Sequence, residues 1–363
     1  MSDVLIIAEA GVNHNGSLDR ALEMVDVAAA AGADVIKFQT FTADKIATKD
    51  AQLAEYQKTN VPGVSTQWEL LKGLELTHDE FAAVRARCDE RGIEFLSTGF
   101  DLDELAFLID ELGISRVKVA SGDLTFAPML FRAGLSGLPV IVSTGMADLD
   151  EIGPALHLVA AGIAVEAGLL PADTVPDAAT AAAAWSRPEV LELVRQRVTV
   201  LHCTSEYPAP AHTLNLRAMN SIGETYGVPV GYSDHSLGGV ASTLAVGLGA
   251  TVIEKHFTLD KTLPGPDHSA SLDVDELHRL VADLRLVGTM LGSDVKAIQP
   301  EEVTTRAAVR RSIVAVHDIA AGAVITEADV ECRRPNSGRT AFDYYEVVGT
   351  VAERDYATGD HVG

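Results

Sequence analysis

The sequence has few cysteines, a shortage of basic residues and no long apolar run. Three cysteines, Cys88, Cys203 and Cys332, are spread over 363 residues, too far apart for a disulfide framework or a CxxC metal motif. Lysine and arginine number 28 against 52 aspartates and glutamates, a net charge of −24 that argues against a nucleic acid or an anionic membrane surface as the main partner. Small molecules are the expected partners.

No stretch approaches the length of a membrane-spanning helix. The N-terminal apolar run, in MSDVLIIAEAG, is short and lacks the basic residues of a signal peptide. We therefore expect a cytoplasmic protein without a membrane segment. Hydrophobic residues make up 47% and charged residues 22% of the chain, proportions that are typical of a globular protein and argue against disorder.

Eight short β-branched runs alternate with segments of helical period. The predicted strands are Val4–Ala8, Val35–Gln39, Ile93–Ser97, Arg116–Ala120, Val140–Thr144, Val198–Cys203, Val228–Tyr232 and Val252–Phe257. Predicted helices include Leu18–Ala31, Thr77–Arg91 and Leu237–Gly249. Eight strand–helix units predict an α/β fold, a TIM (β/α)8 barrel. A doubly wound open sheet is the alternative, but no GxGxxG motif follows the first strand.

Two interruptions divide the chain. We expect the barrel to occupy residues 1–298, with a surface insertion rich in alanine and proline at 161–188. Pro300 and a Glu-Glu pair lie in the expected linker, residues 299–306. Residues 307–363 contain strand-like pieces and glycine turns, which predict a small β-rich domain. Because about 55–60 residues form a marginal core, this domain should lean on the barrel or on another subunit.

The active site of a TIM barrel lies at the carboxyl ends of its strands, and here every strand ends in polar residues. They are Glu9; Lys37 and Gln39; Ser97 and Thr98; Lys118 and Ser121; Ser143 and Thr144; His202 and Thr204; Ser233, Asp234 and His235; and Glu254 and His256. Buried polar groups need partners, solvent or a ligand. Eight such ends together indicate a binding site.

A histidine pair is the first candidate constellation. His235 follows the seventh strand and His256 ends the eighth, so adjacent strands would bring the two imidazoles together. Glu254 points in the same direction as His256, and all three side chains can face one divalent ion. The alternative is a pair of purely structural histidines.

An anion site is the second candidate. Lys37 and Lys118 supply positive charge, and Gly122 and Gly145 allow backbone N–H groups to approach a phosphate or carboxylate. The hydroxyl groups are those of Thr98, Ser121 and Ser143. The same two lysines are the possible imine-forming groups of a pyruvate aldolase. Lys255 is excluded from that role because strand alternation turns it outward.

The loop after the eighth strand is the third candidate. Its Leu-Pro-Gly-Pro sequence is stiff and would hold Asp267 and His268 over the barrel mouth. A rigid turn with a solvated aspartate is the alternative. A cysteine–histidine nucleophile is not expected, since Cys203 and its neighbour His202 point to opposite faces of their strand.

Nine motifs along the barrel resemble those of one family. They are AEAGVNHNG, VIKFQTF, FLSTGFD, VKVASGD, STGM, HCTSEYPAP, GYSDHS, EKHFTLDK and LPGPDH, in chain order. Together they resemble the sialic acid synthases, which condense phosphoenolpyruvate and water with an N-acylated mannosamine-type sugar and release phosphate. RRSIVAVHDI and CRRPNSGR resemble the antifreeze-like (SAF) domain that completes that architecture.

The resemblance implies a role for each candidate residue. The implied metal ligands are His235 and His256, with manganese expected first and magnesium or cobalt as alternatives. Phosphoenolpyruvate contacts fall on Lys37, Thr98, Lys118, Ser121, Ser143 and Ser233. Sugar contacts fall on Gln39, Ser205, Tyr207, Asp267 and Arg334, and the candidate catalytic acids are Glu9, Asp123, Glu254 and Asp267. Arg334 would reach the barrel of a partner subunit, which implies a domain-swapped homodimer.

Two departures from the family pattern leave the acceptor open. Asp123 follows Ser-Gly where relatives often carry Glu, and Ser205 stands two residues before Tyr207 where some carry Asn. The acceptor is therefore either N-acetylmannosamine or 2,4-diacetamido-2,4,6-trideoxymannose, the sugar of legionaminic acid synthases. The other functions left open are a lysine-type pyruvate aldolase, a different phosphoenolpyruvate-dependent 3-deoxy-ulosonate synthase, and a non-enzymatic sugar-binding SAF protein.

Overall fold

The computed structural model describes residues 4–53, 55–61 and 63–363. The chain divides into two compact units, Met1–Gly292 and Ser293–Gly363. Within the described residues, no helix combines the length and the apolar character that crossing a membrane requires.

Eight parallel strands form the centre of the first unit. They are β1 (Leu5–Gly11), β2 (Val35–Thr40), β3 (Glu94–Gly99), β4 (Val117–Val119), β5 (Val140–Ser143), β6 (Val198–Cys203), β7 (Val230–Asp234) and β8 (Val252–His256). Hydrogen bonds join them in the order β3-β2-β1-β8-β7-β6-β5-β4, and β3 and β4 lie side by side at its two ends. The predicted TIM barrel is confirmed.

Helices follow the strands around the barrel. They are α1 (Leu18–Ala31), α2 (Ala43–Ile46), α3 (Glu55–Asn60), α4 (Gln67–Lys72), α5 (His78–Arg91), α6 (Leu102–Ala106), α7 (Ala127–Leu135), α8 (Leu149–Glu166), α9 (Ala178–Trp185), α10 (Pro188–Arg197), α11 (Ala218–Tyr226), α12 (Val240–Gly247) and α13 (Val274–Leu291). Local sequence sets their ends. Ser17 caps α1 by accepting the Arg20 N–H, and Gly32 ends it at a φ of 80° that favours glycine.

The barrel interior has an apolar layer beneath a polar mouth. Six strands contribute the apolar layer, with Ile7, Val35, Leu96, Ile141, Leu201 and Val252. Because strand side chains alternate, the next inward position on each strand lies two residues further toward the mouth. At these positions the apolar residues give way to polar residues and one cysteine. These are Glu9, Lys37, Thr98, Ser143, Cys203 and Glu254.

Five of the predicted polar strand ends therefore lie on the outer face instead, and one of them is Asp234, which pairs there with Lys255. Ser97 shares a 2.7 Å hydrogen bond with Thr40, and Thr144 donates to the Leu201 carbonyl at 2.9 Å. His202 bonds the Leu214 carbonyl at 2.7 Å, and Thr204 donates to the Thr213 carbonyl. The interior position of Leu201 is the reason, since it turns positions 202 and 204 outward and Cys203 inward.

Residues 161–188 are only partly the surface insertion that the sequence predicts. Helix α8 continues to Glu166, and its Ala161, Ile163 and Ala164 are fully buried. Helix α9 packs against α8 and buries Ala181 and Ala184. The two ends of the segment thus belong to the helical layer around the barrel.

The second unit has its own small apolar core. It contains an antiparallel pair of strands, β9 (Ser312–Ala315) and β10 (Val330–Arg333). Helix α14 (Glu302–Val309) precedes the pair, and α15 (Tyr344–Val347) follows it. Its core is built from Ile313, Ala315, Ile319, Ile325, Val330, Val347, Ala352, Tyr356 and Val362. The expected linker, residues 299–306, includes the first residues of α14.

Candidate active site

Two lysines and two glutamates meet at the floor of the barrel mouth. Lys37 Nζ lies 2.7 Å from Glu9 and 3.7 Å from Glu254. Lys118 Nζ lies 3.3 Å from the other oxygen of Glu254. All four side chains are at least nine-tenths buried. Strand register explains one of these contacts, since the pairing of β1 with β2 sets Glu9 beside Lys37.

The four groups differ in how burial and neighbouring charges act on them. Burial raises the pKa of Glu9 to about 7, although Lys37 opposes the effect. Burial also acts to raise the pKa of Glu254, but Lys118 and Lys37 overcome it and lower that pKa. The pKa of Lys37 rises because Glu254 and Glu9 outweigh its burial, whereas burial lowers the pKa of Lys118. Glu254 is therefore the ionised carboxylate, and Glu9 is the one able to exchange a proton near neutral pH.

Three hydroxyl groups line this cluster. Ser233 donates to Glu254 at 3.0 Å, and Lys37 donates to Thr98 at 3.3 Å. Gln39 donates to Glu9 at 3.5 Å. Ser143 Oγ is buried and has no hydrogen-bond partner in the part of the chain that the structure describes. An unpaired buried hydroxyl at an inward position of the barrel is suited to an anion.

A tight contact joins the ends of β4, β5 and β6. The Gly145 N–H donates to Ser121 Oγ at 2.9 Å, and Ser121 Oγ lies 3.2 Å from Cys203 Sγ. A Cβ at position 145 would lie 2.9 Å from Cys203 Sγ and would also overlap Ser205. Only glycine fits there. The sequence predicted that the Gly145 N–H would bind an anion directly, but in the structure this N–H donates its hydrogen bond to Ser121.

The two predicted histidines are neighbours. Their ring centroids are 5.7 Å apart, and Tyr207 stacks on His235 with a centroid distance of 4.3 Å. His235 Nδ1 donates to the Thr204 carbonyl at 2.7 Å, which leaves Nε2 to accept from the Tyr207 hydroxyl at 3.3 Å. Burial lowers the pKa of His235, and it lowers that of His256 well below 6.5. Both imidazoles are therefore neutral at neutral pH.

These properties fit a metal held by two histidines. A ligating histidine commonly donates its other ring N–H to a carbonyl, as His235 does, and it must be neutral. Nδ1 of His256 is buried and unpartnered among the described residues. Glu254, the candidate third ligand, lies against the two lysines instead. The described residues contain no group of three or more His, Cys, Asp or Glu side chains that could hold a metal.

Asp123 lies in the single turn Ser121–Asp123 after β4. Burial raises its pKa to about 6, against an opposing effect of Lys118. Its Oδ2 is buried and has no hydrogen-bond partner within the described ranges. This carboxyl is a second group that can exchange a proton near neutral pH.

The loop after β8 carries Asp267 and is tied to two distant segments. Asn15 donates to the Pro264 carbonyl and Asn60 to the Pro266 carbonyl, each at 2.7 Å. His268 bonds Thr258 at 2.7 Å. Burial raises the pKa of Asp267 to about 6. These hydrogen bonds fix the loop to the segment after β1 and to the end of α3.

Residues from the NHN segment after β1 were missed by the sequence reasoning. Asn13 donates to the Phe257 carbonyl at 2.8 Å and to Ser271 at 2.9 Å, and Asn15 Oδ1 pairs with His268 at 3.1 Å. Asparagines flanking a histidine directly after a strand were the available signal. Arg334, the remaining predicted contact, is exposed just after β10 in the second unit.

Comparisons with known proteins agree with this architecture. The sequence matches the NeuB family over residues 24–296 and the SAF domain over residues 310–362. It is 43% identical to the N,N'-diacetyllegionaminic acid synthase of Legionella pneumophila, over 98% of this chain and 92% of that protein. It is 38% identical to the synthase of the same name from Campylobacter jejuni, over 98% of each chain.

A solved structure gives the same result. The N-acetylneuraminic acid (sialic acid) synthetase of Leptospira borgpetersenii, crystallised with citrate, is 32% identical with a TM-score of 0.66. The match covers 84% of this chain and 90% of that one. The resemblance to the sialic acid synthases is confirmed, and the chain belongs to the NeuB family.

Proposed function

We propose that this chain is a nonulosonic acid synthase that joins phosphoenolpyruvate to an N-acylated mannosamine-type sugar, consuming water and releasing phosphate. The observation that carries the proposal is the buried cluster of Lys37, Lys118, Glu9 and Glu254 at the barrel mouth. Relatives named as acid synthases, similar over almost the whole chain, support the same reaction class.

Charge balance favours phosphoenolpyruvate as the ligand of this cluster. Two lysines against the ionised Glu254 leave one net positive charge when Glu9 is protonated and none when Glu9 is ionised and can act as a base, and a divalent ion would add two. Phosphoenolpyruvate carries roughly three negative charges near neutral pH. The ligand would therefore neutralise the site. The residues assigned to it are Lys37, Thr98, Lys118, Ser121, Ser143 and Ser233.

The carboxyl groups of the chain suit the remaining chemistry. C3 of phosphoenolpyruvate attacks the aldehyde carbon of the sugar, water adds at C2, and phosphate leaves as its bond to C2 breaks. Glu9 is assigned to orient the water and take its proton, with Asp123 and Asp267 as the alternatives. Glu254 stays ionised and holds both lysines. A divalent ion on His235 and His256 would supply the Lewis acidity that polarises the aldehyde carbonyl.

The acceptor assigned is 2,4-diacetamido-2,4,6-trideoxymannose. Two relatives, at 43% and 38% identity, are named N,N'-diacetyllegionaminic acid synthases. The barrel residues assigned to the sugar are Gln39, Ser205, Tyr207 and Asp267. Arg334, which is exposed, would reach the sugar from the other subunit of a domain-swapped homodimer.

An acceptor panel tests this function. Phosphate release from phosphoenolpyruvate should require an acceptor sugar, with a higher kcat/KM for the diacetamido sugar than for N-acetylmannosamine. A chelator should abolish turnover, and Mn2+ should restore it. Preference for N-acetylmannosamine would overturn the acceptor alone. Activity only with phosphorylated sugars, or trapping of pyruvate on a lysine by borohydride, would overturn the function.

A further inference from the structure

A buried ion pair lies directly behind the two histidines. Asp234 and Lys255 precede His235 and His256 in sequence, so strand alternation places them on the outer face, between the barrel and its helices. Lys255 Nζ lies 3.2 Å from Asp234 Oδ2, and both side chains are almost completely buried, at 2% and 0% exposed. The neighbouring outer positions, Ile253 on β8 and Phe257 directly after it, belong to the apolar core.

Hydrogen bonds satisfy both oxygens of the Asp234 carboxylate. Asp234 Oδ1 accepts from the backbone N–H of Ser236 at 2.9 Å and from its hydroxyl at 2.6 Å. Asp234 Oδ2 accepts from Ser242, on α12, at 2.7 Å. Lys255 also donates to the Ser236 carbonyl. The carboxylate and the ammonium together hold the backbone on both sides of His235.

The stability of the barrel does not explain this arrangement. Replacing a buried ion pair by apolar residues of similar size is often neutral or stabilising, because desolvating two charges offsets much of their attraction. Strands β7 and β8 are already joined by their own hydrogen-bond ladder. What the pair adds is a connection between the residue before one histidine and the residue before the other.

We propose that the Asp234–Lys255 ion pair is a positioning device that fixes His235 against His256 at the spacing a divalent ion needs. It holds the 234–236 turn so that His235 Nδ1 meets the Thr204 carbonyl and Nε2 faces the mouth. Neither residue touches substrate. The inference rests on the proposed metal-binding role of the two histidines.

Mn2+ binding tests the proposal without reference to turnover. Asp234→Asn and Lys255→Met should each weaken Mn2+ binding about 10- to 100-fold, measured by the electron paramagnetic resonance signal of the free ion. The matched control is Asp34→Asn, which breaks the 2.6 Å Arg285–Asp34 pair before β2, at the other end of the barrel. The control should bind Mn2+ within twofold of the natural chain.

The double variant separates positioning from stability. Each single change leaves one buried charge unpaired and should lower the melting temperature, whereas Asp234→Asn with Lys255→Met should regain part of the loss. Mn2+ affinity should nonetheless stay low in the double variant. A double variant that binds Mn2+ as tightly as the natural chain overturns the proposal.

A metal-free measurement distinguishes failure of this inference from failure of the proposed function. In the metal-free protein, nitrogen NMR of labelled histidine should report His235 with its proton on Nδ1, and the variants should show a mixture of tautomers. If the natural chain binds no Mn2+, the metal assignment is what fails, and the tautomers still decide the positioning role. An unchanged His235 spectrum in all three variants overturns it.

Discussion

Replacing Asp267 by asparagine should stabilise the folded protein and weaken its use of the acceptor sugar. The pKa of Asp267 rises from its ordinary 3.8 to about 6 because the side chain is buried. At neutral pH the folded chain therefore carries an ionised carboxylate at a cost of about 3 kcal/mol, using about 1.4 kcal/mol for each pH unit between the two values. Asp267→Asn removes this cost and keeps the shape of the side chain.

The size of this stabilisation depends on pH in a way that can be measured. Below pH 4 the carboxyl is protonated in both states and costs nothing; between pH 4 and 6 only the unfolded chain ionises, and stability falls. Calorimetry should give the variant a melting temperature about 5 °C higher at pH 7.5, and about half that gain at pH 5. Both conditions lie above the isoelectric point of about 4.7.

A control substitution in the same loop, at Asp260, should change the melting temperature in the opposite direction. The pKa of the exposed Asp260 is lowered because Thr262 donates to it from its side chain and backbone, so Asp260→Asn should lower the melting temperature slightly. The Asp267 variant should also raise the KM of the acceptor sugar. Equal melting temperatures for natural chain and Asp267 variant at pH 7.5, or a gain independent of pH, would refute the reasoning.

Three further substitutions probe the barrel mouth. His235→Ala should abolish metal-dependent turnover with unchanged circular dichroism; full activity with the metal chelated would contradict the assignment. Lys37→Met removes an ammonium 2.7 Å from Glu9 and should raise the KM of phosphoenolpyruvate about 10- to 100-fold, whereas an unaltered KM would exclude Lys37 from that contact. Gly145→Ala places a methyl group 3.0 Å from Ser121 Oγ and should cost about 1–3 kcal/mol of stability in thermal denaturation, an outcome that unchanged melting would disprove.

Much of the barrel could be predicted because its strands are short apolar runs with regular spacing. The inward direction of Lys37 and Glu254 follows from alternation once Val35 and Val252 are taken as interior residues. At β6 the same rule failed, because the sequence does not show whether Leu201 or His202 faces the interior. That ambiguity assigned His202 and Thr204 to the mouth, where the structure has Cys203.

Side-chain partners were harder to predict than strand directions. Glu254 shares the inward face of β8 with His256, which made it a reasonable third metal ligand. Its actual partners are Lys37 on β2 and Lys118 on β4. The attraction between the carboxylate and the two ammonium groups sets the direction of the Glu254 side chain. The contacts of Asn13 and Asn15 span about 250 residues of chain, a distance at which no local pattern carries information.

The contacts of β1 have a consequence for how this protein is made. One edge of β1 pairs with β2, but the other pairs with β8, and Arg285 reaches back to the Val4 carbonyl across 281 residues. During synthesis that edge stays open until nearly the whole barrel has been translated, and open strand edges favour association with other chains. Because His256 and the Asp267 loop also arrive last, a prematurely terminated chain would lack both the closing strand and a complete active site.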